Sequence, residues 1–174
     1  MKRILFINPS LRLHSKTKFL PVGIASVMTY LQSQGIKFDF LDIDIDDIED
    51  TDVKLYLERN RYDIVLTGSI VTHYKWMKWL TKTIRHYNPK SIIIVGNSVA
   101  GSIPTLFLTN SDADIAIMGE GELSTNETIF RILSDEDIGN IEGIAYKKSN
   151  GTVKVNPKRK GLKKLDDFPM INWD

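Results

Sequence analysis

Four apolar runs in this chain stop on residues suited to meeting a ligand. Asp63 to Ser69 ends on Gly68-Ser69, with Thr72 and His73 close behind, and Ser91 to Val95 is followed by Gly96-Asn97-Ser98. Asp114 to Met118 is followed by Gly119-Glu120-Gly121-Glu122, and Arg3 to Asn8 stops at Asn8-Pro9. Three of these ends are built from small residues, which let a broad group approach the backbone closely. Three such ends in neighbouring strands favour a groove over three unrelated turns. Glu120 and Glu122 have carboxylates that acid–base chemistry would use. With no other catalytic group near them, their expected task is to bond backbone amides, in the tight turn or at the rim of a bound group. His73 is expected to face the groove, either touching a ligand or simply capping and packing.

The elements that must position these ends follow from periodicity. Each of the four runs is of strand length and rich in β-branched residues, and Lys37 to Asp42 is a further strand. Ile24, Val27, Met28 and Leu31 recur at helical spacing between Pro21 and Gly35. Further helices are expected over Asp50 to Asn60, Thr72 to Tyr87, Pro104 to Asn110 and Glu122 to Leu133. Ser124 and Glu127 have the spacing of a capping box, which would start the last of these two residues later. Five strand–helix units in alternation predict an α/β fold, a flavodoxin-like, doubly wound parallel five-stranded sheet of order 2-1-3-4-5. Ligands of such sheets bind at the carboxyl ends of the strands. Gly143 to Lys148 and Thr152 to Val155 flank Ser149-Asn150-Gly151, a C-terminal β-hairpin signal. The expected division is a ligand-binding α/β domain over 1–140, the hairpin over 141–157 and a basic linker or terminal arm over 158–174.

Composition narrows the partners. A net charge of +1 over 174 residues gives no global field for nucleic acid or a membrane surface. No apolar run approaches the roughly 20 residues of a membrane span, and a cytoplasmic setting is the expectation. The chain has no Cys, so it supplies no thiol nucleophile, disulfide or Cys-ligated cluster of its own. The familiar α/β ligand loops fail one by one. A dinucleotide fingerprint or a P-loop needs glycines after the first strand, and Asn8 to Lys18 has none. A flavin loop would draw on Ser10, Ser15 and Thr17, but Arg12, Lys16 and Lys18 interrupt it. A phosphoacceptor receiver needs an Asp and a Lys where this chain has Ser69 and Glu120.

Motifs along nearly the whole chain carry a resemblance. In order they are Asn8-Pro9; Pro21-Val22-Gly23-Ile24; Gly68-Ser69 with Thr72; Gly96 followed by Pro104; Gly119-Glu120-Gly121-Glu122; Ile141-Glu142-Gly143-Ile144-Ala145-Tyr146; and Leu165-Asp166-Asp167-Phe168-Pro169. The chain resembles the N-terminal cobalamin (B12)-binding domain of B12-dependent radical S-adenosylmethionine enzymes. The resemblance implies a module that holds a corrinoid at the C-terminal edge of the sheet. Its cofactor-binding residues would be Asn8, Pro9, Gly68, Ser69, Thr72, His73, Gly96, Asn97, Ser98, Gly119, Glu120, Gly121 and Glu122. It also implies that S-adenosylmethionine and an iron–sulfur cluster belong to a following radical domain or a partner chain. Where the family has Gly-Gly-x-His after the fourth strand, this chain has Gly96-Asn97-Ser98-Val99. A non-enzymatic interaction or regulatory domain of the same fold, without cofactor, is the alternative. Cobalamin modules of the mutase and methionine synthase type carry Asp-x-His-x-x-Gly after the first strand. Here Arg12, His14 and Thr17 stand in those places, so no protein ligand to cobalt is expected.

Overall fold

The structure, a computed structural model, describes residues 2–161 and 168–172. Residues 162–167, including most of the Leu-Asp-Asp-Phe-Pro segment, therefore lie outside the described residues. The strands are β1 (Ile4–Asn8), β2 (Asp39–Asp42), β3 (Ile64–Gly68), β4 (Ile92–Gly96), β5 (Ile115–Ile117), β6 (Ile144–Lys147) and β7 (Val153–Val155). They form one sheet of order β2-β1-β3-β4-β5-β6-β7. The first five strands of the chain run parallel, and β6 and β7 are antiparallel. The expected 2-1-3-4-5 order therefore holds, and the hairpin extends the same sheet beyond β5. Its turn uses Gly151 at φ 81, while Asn150 Oδ1 accepts from the Thr152 amide at 3.0 Å.

The helices are α1 (Val22–Ser33), α2 (Asp50–Arg59), α3 (Tyr74–Tyr87), α4 (Ser98–Gly101), α5 (Pro104–Thr109) and α6 (Gly121–Leu133). Because strand side chains alternate in direction, β1, β3, β4, β5 and β6 each feed two cores. Leu5, Ile7, Val65, Ile93 and Val95 pack with Val53, Leu57, Met77, Leu80, Ile84 and Phe107 of α2, α3 and α5. Ile4, Phe6, Ile64, Leu66, Ile94, Ile115 and Ile117 face Ile24 and Leu31 of α1 and Ile129 and Ile132 of α6. Each fully buried side chain of this size contributes about 1.5–3 kcal/mol of transfer free energy. Parallel strands buried on both faces need continuous apolar runs rather than alternation, which is why their sequences read as they do. No helix among the described residues is long and apolar enough to cross a membrane.

Three local features depart from the sequence reading. A single 3-10 turn, Val71–His73, precedes α3, so Thr72 and His73 lie outside the α-helix proper. The one-turn helix α4 follows β4, opened by Asn97, whose Oδ1 accepts from the Ser98 amide at 2.6 Å. The expected capping box does not form. Ser124 lies inside α6, donating to the Glu142 carbonyl at 3.0 Å, and Glu127 pairs with Arg131 and Arg159. Those two side chains serve the contact with the segment around the hairpin, because α6 already begins at Gly121. At the far end of the described chain, Phe168 packs on Tyr30 with ring centroids 5.1 Å apart, and the Asn172 amide donates to Thr29 Oγ1. Phe168 and Asn172 thus lie against α1.

Candidate functional site

Register builds the site. Phe6 of β1 lies beside Leu66 of β3, and Leu66 beside Ile94 of β4, so the three side chains form one row across the sheet. All three face α1 and α6. One step further toward the strand ends, Gly68 lies beside Gly96. At that level two adjacent strands present backbone and no side chain. The result is a cleft of about 430 Å³ at the C-terminal edge, floored by Phe6, Leu66, Ile94 and Ile117 and walled by Ile24 and Val27 of α1 and Thr125 of α6. Its volume is that of a small-molecule site.

The two walls are held together at their N-terminal ends. A Cβ on Gly121 would stand 3.0 Å from Val27 Cγ2, so the two helices touch there. Ser26 Oγ of α1 donates to Glu122 Oε1 of α6 at 2.5 Å. Glu122 therefore ties helix to helix, whereas the sequence suggests a bond to backbone amides, in the turn or at the rim of a bound group. Above the cleft the backbone leaves room. A Cβ on Gly23 or Gly119 would meet nothing within 4 Å, and one on Gly96 only Ile117 Cβ at 3.9 Å. Gly119 needs its residue type for another reason, since φ is 74 where strand turns to helix. Asn97 stands at φ 62, ψ −172, a conformation that is almost confined to glycine. Backbone geometry thus explains why a second Gly would suit this position.

Two smaller recesses continue the cleft along the edge. One, of about 90 Å³, shares Gly68 and Asn97 with it and adds Asn8, Pro9 and Ser69. The other, of about 230 Å³, shares Gly119, Glu120 and Glu122 and adds Arg159 and Lys160. Of the residues singled out in the sequence, Asn8, Pro9, Gly68, Ser69, Gly96, Asn97, Gly119, Glu120, Gly121 and Glu122 lie on this continuous edge. A larger concavity of about 630 Å³ lies at the opposite end of the strands, around Arg3, Gly35 and Asp39, and touches none of them.

Thr72, His73 and Ser98 do not line the cleft or its recesses. Thr72 is exposed on the 3-10 turn. Ser98 Oγ accepts from the Val71 amide at 3.1 Å and so ties the loops after β3 and β4 together. His73 packs flat on Trp76, with ring centroids 4.8 Å apart and planes 3° from parallel, and its Nδ1 lies 3.1 Å from Ser69 Oγ. The same indole donates from Nε1 to Asp50 Oδ1 at 2.9 Å. Burial holds the His73 imidazole below its ordinary pKa, with the Asp50 charge opposing in part. The lowered folded value means that the unfolded chain protonates first as pH falls, so stability is lost below about pH 6.5. His73→Gln is expected to flatten the fall in Tm between pH 7 and pH 5. An unchanged pH profile in the variant would contradict this origin.

The β1 end of the edge is polar inside. Asp42 Oδ1 accepts from Asn8 Nδ2 at 2.9 Å and from the Asp44 and Ile45 amides at 3.1 and 3.0 Å. Asp44 accepts from Ser10 Oγ and from the Phe19 amide. These bonds shape the long loop between β1 and α1, which the polar stretch Ser10 to Leu20 leaves without secondary structure of its own. The loop's histidine, His14, turns away from the cleft, with Nε2 2.8 Å from Glu49 Oε1.

The residues that sequence reasoning did not assign to the site are the apolar floor and walls: Phe6, Ile24, Val27, Leu66, Ile94 and Ile117. Their pattern is that of ordinary core, and nothing in their spacing separates the two uses.

Comparison with known proteins places this geometry in a family. The family described as B12 binding domain matches residues 10–128. The uncharacterized protein MJ1620 of Methanocaldococcus jannaschii is 33% identical over 144 residues, covering 82% of this chain and 26% of its own length. The uncharacterized methyltransferase PH0819 of Pyrococcus horikoshii is 22% identical, covering 88% of this chain and 33% of its own length. The chain thus spans about a quarter to a third of the length of these relatives. Among solved structures, the radical S-adenosylmethionine methyltransferase TsrM from Kitasatospora setae, with cobalamin and a 4Fe–4S cluster bound, superposes with a TM-score of 0.76 at 18% identity, over 94% of this chain and 30% of its own. The cobalamin-dependent S-adenosylmethionine radical enzyme OxsB, with aqua-cobalamin and S-adenosylmethionine bound, gives 0.77 at 18% identity, over 92% and 23%. At these identities the likeness is one of fold.

Proposed function

Since the chain belongs to the B12-binding domain family, we propose that its cleft and the strand ends around it hold cobalamin for a radical S-adenosylmethionine enzyme. The observation that carries this reading is the bare backbone at Gly68 and Gly96, set directly above an apolar floor. A broad macrocycle needs flat backbone to rest on, and its nucleotide tail needs a slot between sheet and helix. The missing Cβ atoms at Gly23, Gly96 and Gly119 leave space that side chains would fill.

In this reading Asn8, Pro9, Ser69, Gly96, Asn97, Gly119 and Glu120 border the corrin, and Gly68 and Gly121 flank the way into the slot. His73 and Ser98 act from behind, while Thr72 stays exposed on the 3-10 turn. His73 holds the Ser69 hydroxyl, and Ser98 joins the two loops that carry Ser69 and Asn97. The bound corrinoid supplies cobalt-centred methyl transfer or redox chemistry, and this chain supplies binding, orientation and exclusion of water. S-adenosylmethionine and an iron–sulfur cluster belong to a radical domain, in the same polypeptide or in a partner chain. Two observations support such a neighbour. The relatives extend well beyond the matched region, and Leu11, Phe19, Ile70 and Val71 leave exposed apolar surface around the mouth of the site. A cytoplasmic setting goes with this reading.

The test is direct. Pure protein mixed with hydroxocobalamin and desalted is expected to keep the visible corrinoid bands in stoichiometric amount. A colourless protein would overturn the reading.

A further inference from the structure

The chemistry of the cleft goes further than the presence of a slot, and on the reading above it discriminates among corrinoids. Complete corrinoids differ in the base at the end of the nucleotide tail. That base is a benzimidazole with one free ring nitrogen, a phenol with none, or a purine such as adenine with an exocyclic amine and several ring nitrogens. The deep part of the cleft is poor in partners for such groups. Phe6, Leu66 and Ile94 floor it with carbon and hydrogen only, and Ile24 and Val27 wall it in the same way. The strand backbone cannot help, because β1, β3 and β4 are each paired on both sides and their amides and carbonyls are engaged in the ladders.

The side-chain polar groups are few at that depth. Thr67 borders the cleft, but it stands two residues on from Val65 and so turns its side chain to the same, opposite core. Asn97 and Glu120 sit at the strand ends, and Glu122 is tied to Ser26. Among the described lining residues this leaves the Thr125 hydroxyl as the polar group of the wall below the rim. One hydroxyl matches a single ring nitrogen in number. It does not match an amine with two hydrogens and the acceptors beside it, and polar groups buried without partners weaken binding.

We propose that this cleft selects corrinoids with benzimidazole or phenolic lower bases and rejects those with purine bases. The experiment is titration of the cobalamin-free full chain, followed by visible spectroscopy, with four probes in their hydroxo or aqua forms: cobalamin, cresolylcobamide, adeninylcobamide and cobinamide, which lacks the tail. Cobalamin and cresolylcobamide are expected to bind with similar affinity. Adeninylcobamide is expected to bind roughly ten- to a hundredfold more weakly, and cobinamide more weakly than cobalamin. Equal or tighter binding of adeninylcobamide would overturn the proposal, as would cobinamide binding as well as cobalamin, since the base would then not occupy the cleft. In both of those outcomes corrinoid is still held and the wider reading stands. Failure of all four probes to bind would overturn that reading and this inference with it.

Discussion

A Gly96→Val protein is expected to fold and to lose cobalamin. Gly96 has no left-handed backbone requirement, and an added Cβ meets only Ile117 Cβ at 3.9 Å, an ordinary contact. Val also suits a strand position. The two γ-methyl groups, however, enter the space directly above the Phe6, Leu66 and Ile94 row, beside Gly68. Forcing extra methyl groups into a fitted space costs typically 1–3 kcal/mol. Affinity should therefore fall roughly ten- to a hundredfold, enough to remove cobalamin on desalting, while circular dichroism and Tm stay near those of the parent. Normal retention by this variant would place the corrinoid elsewhere. Its neighbours make poorer probes. Gly119 has φ 74, so Val there is strained by roughly 1–2 kcal/mol before any ligand is considered. A Cβ on Gly68 would press on the Gly96 backbone at 3.2 Å and shift the strands themselves.

The Co(II) form of bound cobalamin is expected to show no axial nitrogen from this chain. Its three histidines are His14, His73 and His86. His14 is engaged with Glu49 and lies 3.7 Å from Asp47, away from the cleft. His73 is stacked on Trp76 behind Ser69, and His86 packs edge-on against Tyr87 near the end of α3. None of them lines the cleft or its recesses. A ligating imidazole also needs a partner that orients its second nitrogen, and Arg12 stands where that carboxylate would be. Electron paramagnetic resonance of the Co(II) form should give the same superhyperfine pattern in unlabelled and ¹⁵N-labelled protein. A pattern that changes with the protein label would identify a His ligand and overturn the expectation. The difference is all-or-none, because a coordinated ¹⁵N changes the number of lines.

The elements themselves were legible because their signals are local. Ile92-Ile93-Ile94-Val95 has strand propensity and length whatever surrounds it, and Gly119 breaks a strand because its backbone turns at φ 74. The order 2-1-3-4-5 followed from the alternation of strands and helices, because right-handed crossovers leave few other arrangements. The strand ends that form the edge were legible for the same reason, since small residues after parallel strands fall at one rim. Local spacing is not always decisive. Ser124 and Glu127 have cap spacing, yet partners distant in the chain, Glu142 and Arg159, use both side chains.

What the tertiary structure alone decided is the side-by-side placement of Gly68 and Gly96, the row of Phe6, Leu66 and Ile94, and the turning of His73 away from the cleft. By itself the sequence determined the fold class, the rim on which the small residues gather and the absence of a thiol or an N-terminal His–Asp ligand pair. Those follow from residue type and nearest-neighbour spacing. Register between strands far apart in the chain, and the approach of α1 to α6 at Val27 and Gly121, depend on packing of whole elements. That packing determines which apolar residues line a cleft and which are core, because the same side chains at the same spacing serve either end.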